Sequence, residues 1–573
     1  MHDIVIRHGT IVDGTGKPRF TGDVAIDGAT ITAVGEVAER GRREIDAEGQ
    51  LVTPGFVDIH THYDGQATWD SEIAPSSWHG VTSVVFGNCG VGFAPAAPDK
   101  HDFLIALMEG VEDIPGAALA EGLSWEWESL PQYFDAVDRR PHAVDLGAQT
   151  PHAALRAYVM GERGADHEAD PTPDEIAEMA RLTGEALLAG ALGFATSRTV
   201  NHRSRTGAKI GSLTASTEEL LGIGQALKAT GRGVFQCVSD FRDIDYEFGL
   251  LRRLASECGR PLSVTLIQAN QAPQKWRTIL TLVEQAAAEG VDMKAQICAR
   301  PVGILLGLQA TLNPFMRAPT YRSLAALPLA ERVARLRDAA VRERIVAEYE
   351  AEDPVWQGGL RHVDLNQLFA LGDPPEYEPE PANSVAARAA RLGMAPAALA
   401  YDLLLEQDGR ELLYYPFGNY ATFDLEAARE MVLSERTLFG LSDGGAHVGT
   451  ICDASFPTYN LTHWCRDRSR GEGLPLELVV KGQTSDTARH VGWFDRGVVA
   501  PGYKADLNVI DFDRLRLHPP TIAHDLPAGG RRLLQRASGY TCTIASGAVT
   551  FEEGVHTGAL PGKLVRGAQP APA

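Results

Sequence analysis

Two histidines one residue apart close a short apolar run, Pro54-Gly55-Phe56-Val57-Asp58-Ile59-His60-Thr61-His62. Alternate side chains of an extended strand share a face, so His60 and His62 point the same way, one pleat apart. Two imidazoles on one face at a strand end make half of a metal site. Two more ligand types fall where predicted strands stop. Cys89 lies in Gly87-Asn88-Cys89-Gly90, and Asp443 lies in Ser442-Asp443-Gly444-Gly445. Each alone has a plainer reading: ordinary strand-end histidines, a small buried hydrophobe, a turn residue before two glycines. Taken together, two imidazoles, a thiolate and a carboxylate suit Zn²⁺. That ion lowers the pKa of a bound water to about 7 and polarises a carbonyl, which is the chemistry of hydrolysis.

For residues so far apart in the chain to meet, the elements carrying them must bring their ends to one place. Eight short apolar segments alternate with helical stretches: 56–62, 81–86, 143–147, 193–197, 234–238, 262–267, 292–297 and 438–442. Helix starts are readable at Thr172-Pro173-Asp174-Glu175 and Ser216-Thr217-Glu218-Glu219, both with the pattern of a capping box. The fold class is α/β, a metal-dependent (β/α)8 barrel whose strands share one carboxyl-terminal mouth, so that strands one, two and eight adjoin there. Residues 300–430 are too many for one crossover and predict an inserted subdomain between strands seven and eight. Within the end segments 1–53 and 497–573, residues 3–53 alternate in period two between Gly and Asp turns, and 505–511 and 540–547 repeat the style. Neither end suffices for a β domain, and together they predict one composite β-sandwich flanking a catalytic barrel over 54–496.

The composition narrows the function. The chain has 573 residues, 44% hydrophobic and 22% charged, with a net charge of -22. A surface this acidic argues against nucleic acid or anionic membrane as partner and leaves a small-molecule substrate, with a homo-oligomer still open. Seven cysteines at 89, 237, 258, 298, 452, 465 and 542 include no CxxC pair, which predicts free thiols in a reducing compartment. With no leader-like start and no membrane-length apolar run, the expected home is the cytoplasm.

The motifs Gly55-Phe56-Val57-Asp58-Ile59-His60-Thr61-His62-Tyr63-Asp64-Gly65-Gln66, Gly87-Asn88-Cys89-Gly90, Ser442-Asp443-Gly444 and Gly502-Tyr503-Lys504-Ala505-Asp506-Leu507 resemble the amidohydrolase superfamily. Within it the chain is similar to the D-aminoacylase (N-acyl-D-amino-acid deacylase) branch, in which a cysteine replaces a carboxylated lysine as metal ligand. The resemblance implies a metal-dependent barrel with a flanking β-sandwich, and hydrolysis of a linear amide. It implies that Asp443 is catalytic, taking a proton from the water and passing it to the leaving nitrogen, an effect of ~10²–10⁴-fold. The sequence also departs from that branch. Val238 and Leu266 stand where it carries a histidine on strand five and another on strand six, and Gln268 replaces a lysine. The surviving ligand set, His60, His62, Cys89 and Asp443, predicts one zinc ion, with a second left open.

Other residues complete the expected site. His447 recurs at its position in the family and reads either as reaching the water or the substrate or as a surface or capping histidine. Arg300, after strand seven, is a candidate for a substrate carboxylate, as are Arg198, Arg203 and Arg205 after strand four, with a solvated surface role the plainer reading of each. His152 and His202 are mouth-side candidates for a vacated ligand position, whereas His463 reads as packing. Gln236, Gln268 and Gln296 suggest a hydrogen-bonding barrel floor. Phe315, Tyr321, Trp356, Tyr414, Tyr415 and Phe417 form either an aromatic wall for an acyl group or the insert's own core. The favoured function is deacylation of an N-acyl-(D-)amino-acid-like substrate. The alternatives are hydrolysis of a cyclic amide or other acyl compound, or a barrel that only binds.

Overall fold

The computed structural model describes residues 1–351 and 363–572; Trp356 lies outside the described residues. Among the described residues, eight parallel strands close on themselves in chain order. They are Phe56–Asp58, Val81–Phe86, Asp145–Ala148 continued by Thr150–Pro151, Gly193–Arg198, Val234–Ser239, Leu262–Leu266, Met293–Ile297 and Thr437–Phe439. A parallel bridge between Thr61 and Gly444 joins the eighth strand to the first. Strands such as Val81–Phe86, apolar or β-branched except at Ser83, show no in/out alternation because both of their faces are buried.

The first and eighth strands are shorter than the sequence predicts, ending at Asp58 and Phe439 rather than at 62 and 442. The ligand-bearing segments leave the ladder there. Leu441 and Asp443 adopt left-handed φ values of 58° and 49°, which no continuing strand can hold. The helix Pro173–Ala189 starts on the predicted capping box of Thr172 and Glu175. At Ser216 only half of the predicted box forms: Ser216 accepts from the Glu219 N–H, but the Glu219 side chain turns inward to Arg156 and His152.

Between strands seven and eight, Val302–Leu306 pairs antiparallel with Leu413–Gly418, which also pairs with Phe369–Ala370. Helices pack on this small sheet around a separate core that includes Leu306, Phe315, Tyr321, Leu336, Tyr401 and Leu413. The two chain ends share one sheet. Leu51–Pro54 runs parallel to His2–Ile11 on one side and antiparallel to Leu507–Ile510 on the other. The chain then returns to the barrel, where Gly562 bridges His142 and Leu564 bridges Leu146. Among the described residues no helix is long and apolar enough to cross a membrane.

Candidate metal centre

The ends of strands one, two and eight bring the four predicted ligands together. His60 Nε2 lies 3.3 Å from Cys89 Sγ and 3.4 Å from Asp443 Oδ1, and His62 Nε2 lies 3.6 Å from the same oxygen. One ligand atom from each of His60, His62 and Cys89 falls within 4.8 Å of the others. The backbone makes this possible. Past the first strand, the Asp443 N–H donates to the His60 carbonyl at 3.1 Å and the His62 N–H to that of Gly444 at 2.7 Å, which zips the two ligand segments together. The Ser442 hydroxyl hydrogen-bonds the Asp58 carboxylate beneath them. Cys89 holds φ 54° and Asp443 φ 49°, left-handed conformations that cost non-glycine residues energy and concentrate at functional sites. Gly90 follows Cys89 because the chain presses on strand four there: a Cβ would lie 2.9 Å from Thr196 Cα.

Burial and neighbouring charge set the protonation of this cluster. Burial drives the His60 imidazole down to about 4, keeping it neutral and able to ligate. Burial also pushes the Cys89 thiol up to about 11. For Asp443 burial opposes ionisation, but His62 and His60 outweigh it and hold the carboxyl well below its usual range. For His62 burial opposes the charge and the Glu112 and Asp443 carboxylates prevail, raising it. A thiol, two imidazoles and a carboxylate converging in a buried site match the donor preferences of zinc. A cation there would also compensate the buried acids, so the residues fit the ion. His60 and His62 are buried, whereas Asp443 and His447 keep 17% and 25% of their side chains exposed, which gives the direction of access.

The barrel-floor glutamines serve two ligands. Gln296 Oε1 lies 2.6 Å from His60 Nδ1, and Gln236 Oε1 accepts the Cys89 N–H at 2.9 Å. Gln268 lies elsewhere, its amide oxygen accepting from Ala421 N and its backbone N–H donating to Asn419, so it ties strand six to the end of the insert. His447 reaches the cluster's edge, with Nε2 3.6 Å from Glu112 Oε2.

Arg300 does not face the mouth. It is buried and paired with Asp453, with its guanidinium 4.0 Å over the Tyr377 ring, so it is not available to a substrate carboxylate. Arg198 pairs with Glu247 and Arg205 with Glu109, and Arg203 donates to the Gly207 carbonyl. His152 is committed to Thr196 and Glu219, and His463 to Glu378, while His202 hydrogen-bonds Ser197 at 2.9 Å. Of the aromatic residues, Phe315 packs on Tyr349 and Tyr401 in the insert core and Tyr414 on Tyr377, whereas Tyr415 and Phe417 are half-buried.

Sequence reading missed Glu112. It lies 3.3 Å from His62 Nδ1, on the helix His101–Glu112 whose buried stripe is Leu104, Leu107, Met108 and Val111. Position 112 continues that stripe at i, i+4, i+8 from Leu104, and a carboxylate on the apolar face was the available signal.

The family model described as amidohydrolase family matches residues 43–551. A D-aminoacylase of Alcaligenes xylosoxydans xylosoxydans is 26% identical over 573 residues, covering 98% of this chain and 97% of its own. An N-acyl-D-glutamate deacylase of the same organism is 35% identical over 196 residues, 34% of this chain and 37% of its own. Among solved structures, a crystal structure of D-aminoacylase superposes with a TM-score of 0.64 at 25% identity, over 99% of this chain and 100% of that one. The N-acyl-D-glutamate deacylase from Bordetella bronchiseptica, solved with zinc and a phosphonate inhibitor, gives 0.63 at 24% identity over 99% of each chain. With most of its length matched by that model, the chain belongs to the amidohydrolase family.

Proposed function

We propose that this protein is a zinc-dependent hydrolase of the carbon–nitrogen bond in N-acyl-D-amino acids. His60, His62, Cys89 and Asp443 hold one ion, and Asp443 also carries the proton. The observation that carries this reading is the meeting of four ligating side chains, drawn from positions 60 to 443, around one buried point. When bound, the ion supplies the Lewis acidity that makes water a nucleophile at neutral pH. Asp443, ionised and open to the mouth, accepts the proton and returns it to the departing amine, and His447 orients the substrate beside it. Linear N-acyl-D-amino acids are favoured because a D-aminoacylase matches the chain over nearly its whole length.

The working division is a sandwich from 1–53 and 497–573 on a barrel over 54–496, with 300–430 as the insert. The protein acts in the cytoplasm, alone or as a homo-oligomer. Metal analysis together with a hydrolysis panel of N-acyl-D-amino acids, their L-enantiomers and hydantoins tests the reading. One zinc per chain with release of free D-amino acid is expected. Turnover restricted to the cyclic compounds would refute the substrate class.

A further inference from the structure

Glu112 is a buried carboxylate without a lysine or arginine partner: among the described residues its ion pairs are with two histidines. Oε1 lies 3.3 Å from Nδ1 of the metal-site residue His62, and Oε2 lies 3.6 Å from Nε2 of the mouth residue His447. At 3.3 Å the two atoms are within hydrogen-bond distance but off its angle, and neither has any other hydrogen-bond partner, so the ion pair is the one contact each makes. A carboxylate buried with histidines as its sole cationic partners among the described residues is costly unless those pairings are used, which points to a role in them.

The surroundings hold Glu112 in place. The helix stops at Asp113, whose φ of 51° turns the chain away, and Asp113 accepts a hydrogen bond from Thr311 at 3.3 Å. The Thr311 N–H donates to the Gly449 carbonyl and the His447 N–H to that of Glu112, so the helix end and the 447–450 loop are locked together. His62 Nδ1 faces Glu112 and Nε2 faces Asp443, so the nitrogen that would give up its proton to a metal is Nε2. A carboxylate behind a ligating histidine fixes the tautomer and strengthens the ligand.

We propose that Glu112 is a positioning residue: one oxygen holds His62 in its ligating tautomer and the other holds His447 at the mouth. The inference rests on the metal-centre reading. Zinc affinity is measured by chelator competition on metal-stripped wild type, Glu112→Leu, Glu112→Gln and Glu112→Asp, with thermal unfolding of each metal-free protein as the control for folding. Leucine keeps the volume and removes the acceptor, so an affinity loss of about 10–100-fold is expected. The amide oxygen of glutamine still accepts from Nδ1, so that variant regains at least half of the loss on a logarithmic scale. Aspartate, one methylene short, carries the test if leucine is not tolerated, with about a tenfold loss expected.

Unchanged affinity in the leucine or aspartate variant, or a glutamine variant no tighter than leucine, would overturn the role. If wild type takes up no zinc, the metal-centre reading falls and this inference with it; the other outcomes strike Glu112 alone. For the second oxygen, KM is compared among Glu112→Gln, His447→Ala and the double variant. A double effect no larger than the greater single effect is expected, and multiplying effects would overturn the link to His447.

Discussion

Gln296 Oε1 sits 2.6 Å from His60 Nδ1 in the closed interior of the barrel, an amide oxygen accepting from a ring N–H. The Gln296 amide in turn donates to Ser263 Oγ at 2.9 Å, so strands seven and six together set which nitrogen of His60 carries the proton. Nε2 is thereby left bare toward Cys89 and Asp443. Substituting Gln296→Leu removes the acceptor at nearly constant volume. Zinc affinity should fall by about 10–100-fold, the range for losing such a partner. Chelator competition checks it, and an unchanged dissociation constant would show that His60 is oriented by packing alone.

The Cys89 thiol, pushed up to about 11 by burial, stays protonated across the working range until a cation arrives. Zinc must displace that proton to gain the thiolate. Apparent zinc affinity should therefore rise with pH, at least about tenfold per unit between pH 6 and 8, with proton release visible in weakly buffered calorimetry. In Cys89→Ala the slope should drop by one proton per ion. An identical slope in that variant would remove Cys89 from the ligand set.

Asp443 is held ionised by His62 and His60 and is the ligand-set member most open to the mouth. Replacing it with asparagine keeps the shape and one oxygen but removes the proton acceptor. A fall in kcat of ~10²–10⁴-fold is expected. Activity within tenfold of wild type, with zinc still bound, would assign the proton to another group.

The barrel and the convergence of His60, His62, Cys89 and Asp443 were legible because each is a local signal repeated: an apolar strand followed within a few residues by a side chain able to ligate. The exact strand ends were not, because Leu441 and Asp443 leave the ladder through left-handed backbone that nothing short of tertiary contact enforces. Arg300 was placed correctly in the chain, just past strand seven, but its burial against Asp453 and Tyr377 depends on residues more than 70 positions away. Glu112 went unread for a similar reason. Its place on the buried stripe of its helix was readable, but its partners His62 and His447 lie on other elements.

Asp145 joins barrel strand three to the sheet formed by the chain ends. Its carboxylate is buried and accepts from Arg496 at 2.8 Å, from Lys504 at 2.7 Å and from the Lys563 N–H at 3.1 Å. Burial opposes its charge, but Lys504 and Arg496 prevail and hold it at about 2, below the ordinary 3.8. A depressed acid adds stability that is complete above its unfolded value and disappears as pH falls through its folded one. The contribution should thus be whole at pH 7 and fade between about pH 4 and pH 2. Asp145→Asn leaves two buried cations short of a carboxylate, although Asp495 still pairs with Arg496 and Asp506 with Lys504. A loss of about 3 kcal/mol at neutral pH is expected, the lower end of the range for breaking a buried pair. Thermal unfolding of wild type and variant at pH 7 and pH 3 measures it. The gap should narrow in acid, because the wild type loses what the variant never had. A gap of equal size at both values would mean that Asp145 acts through shape and hydrogen bonding, and that the two ends of the chain are held to the barrel without its charge.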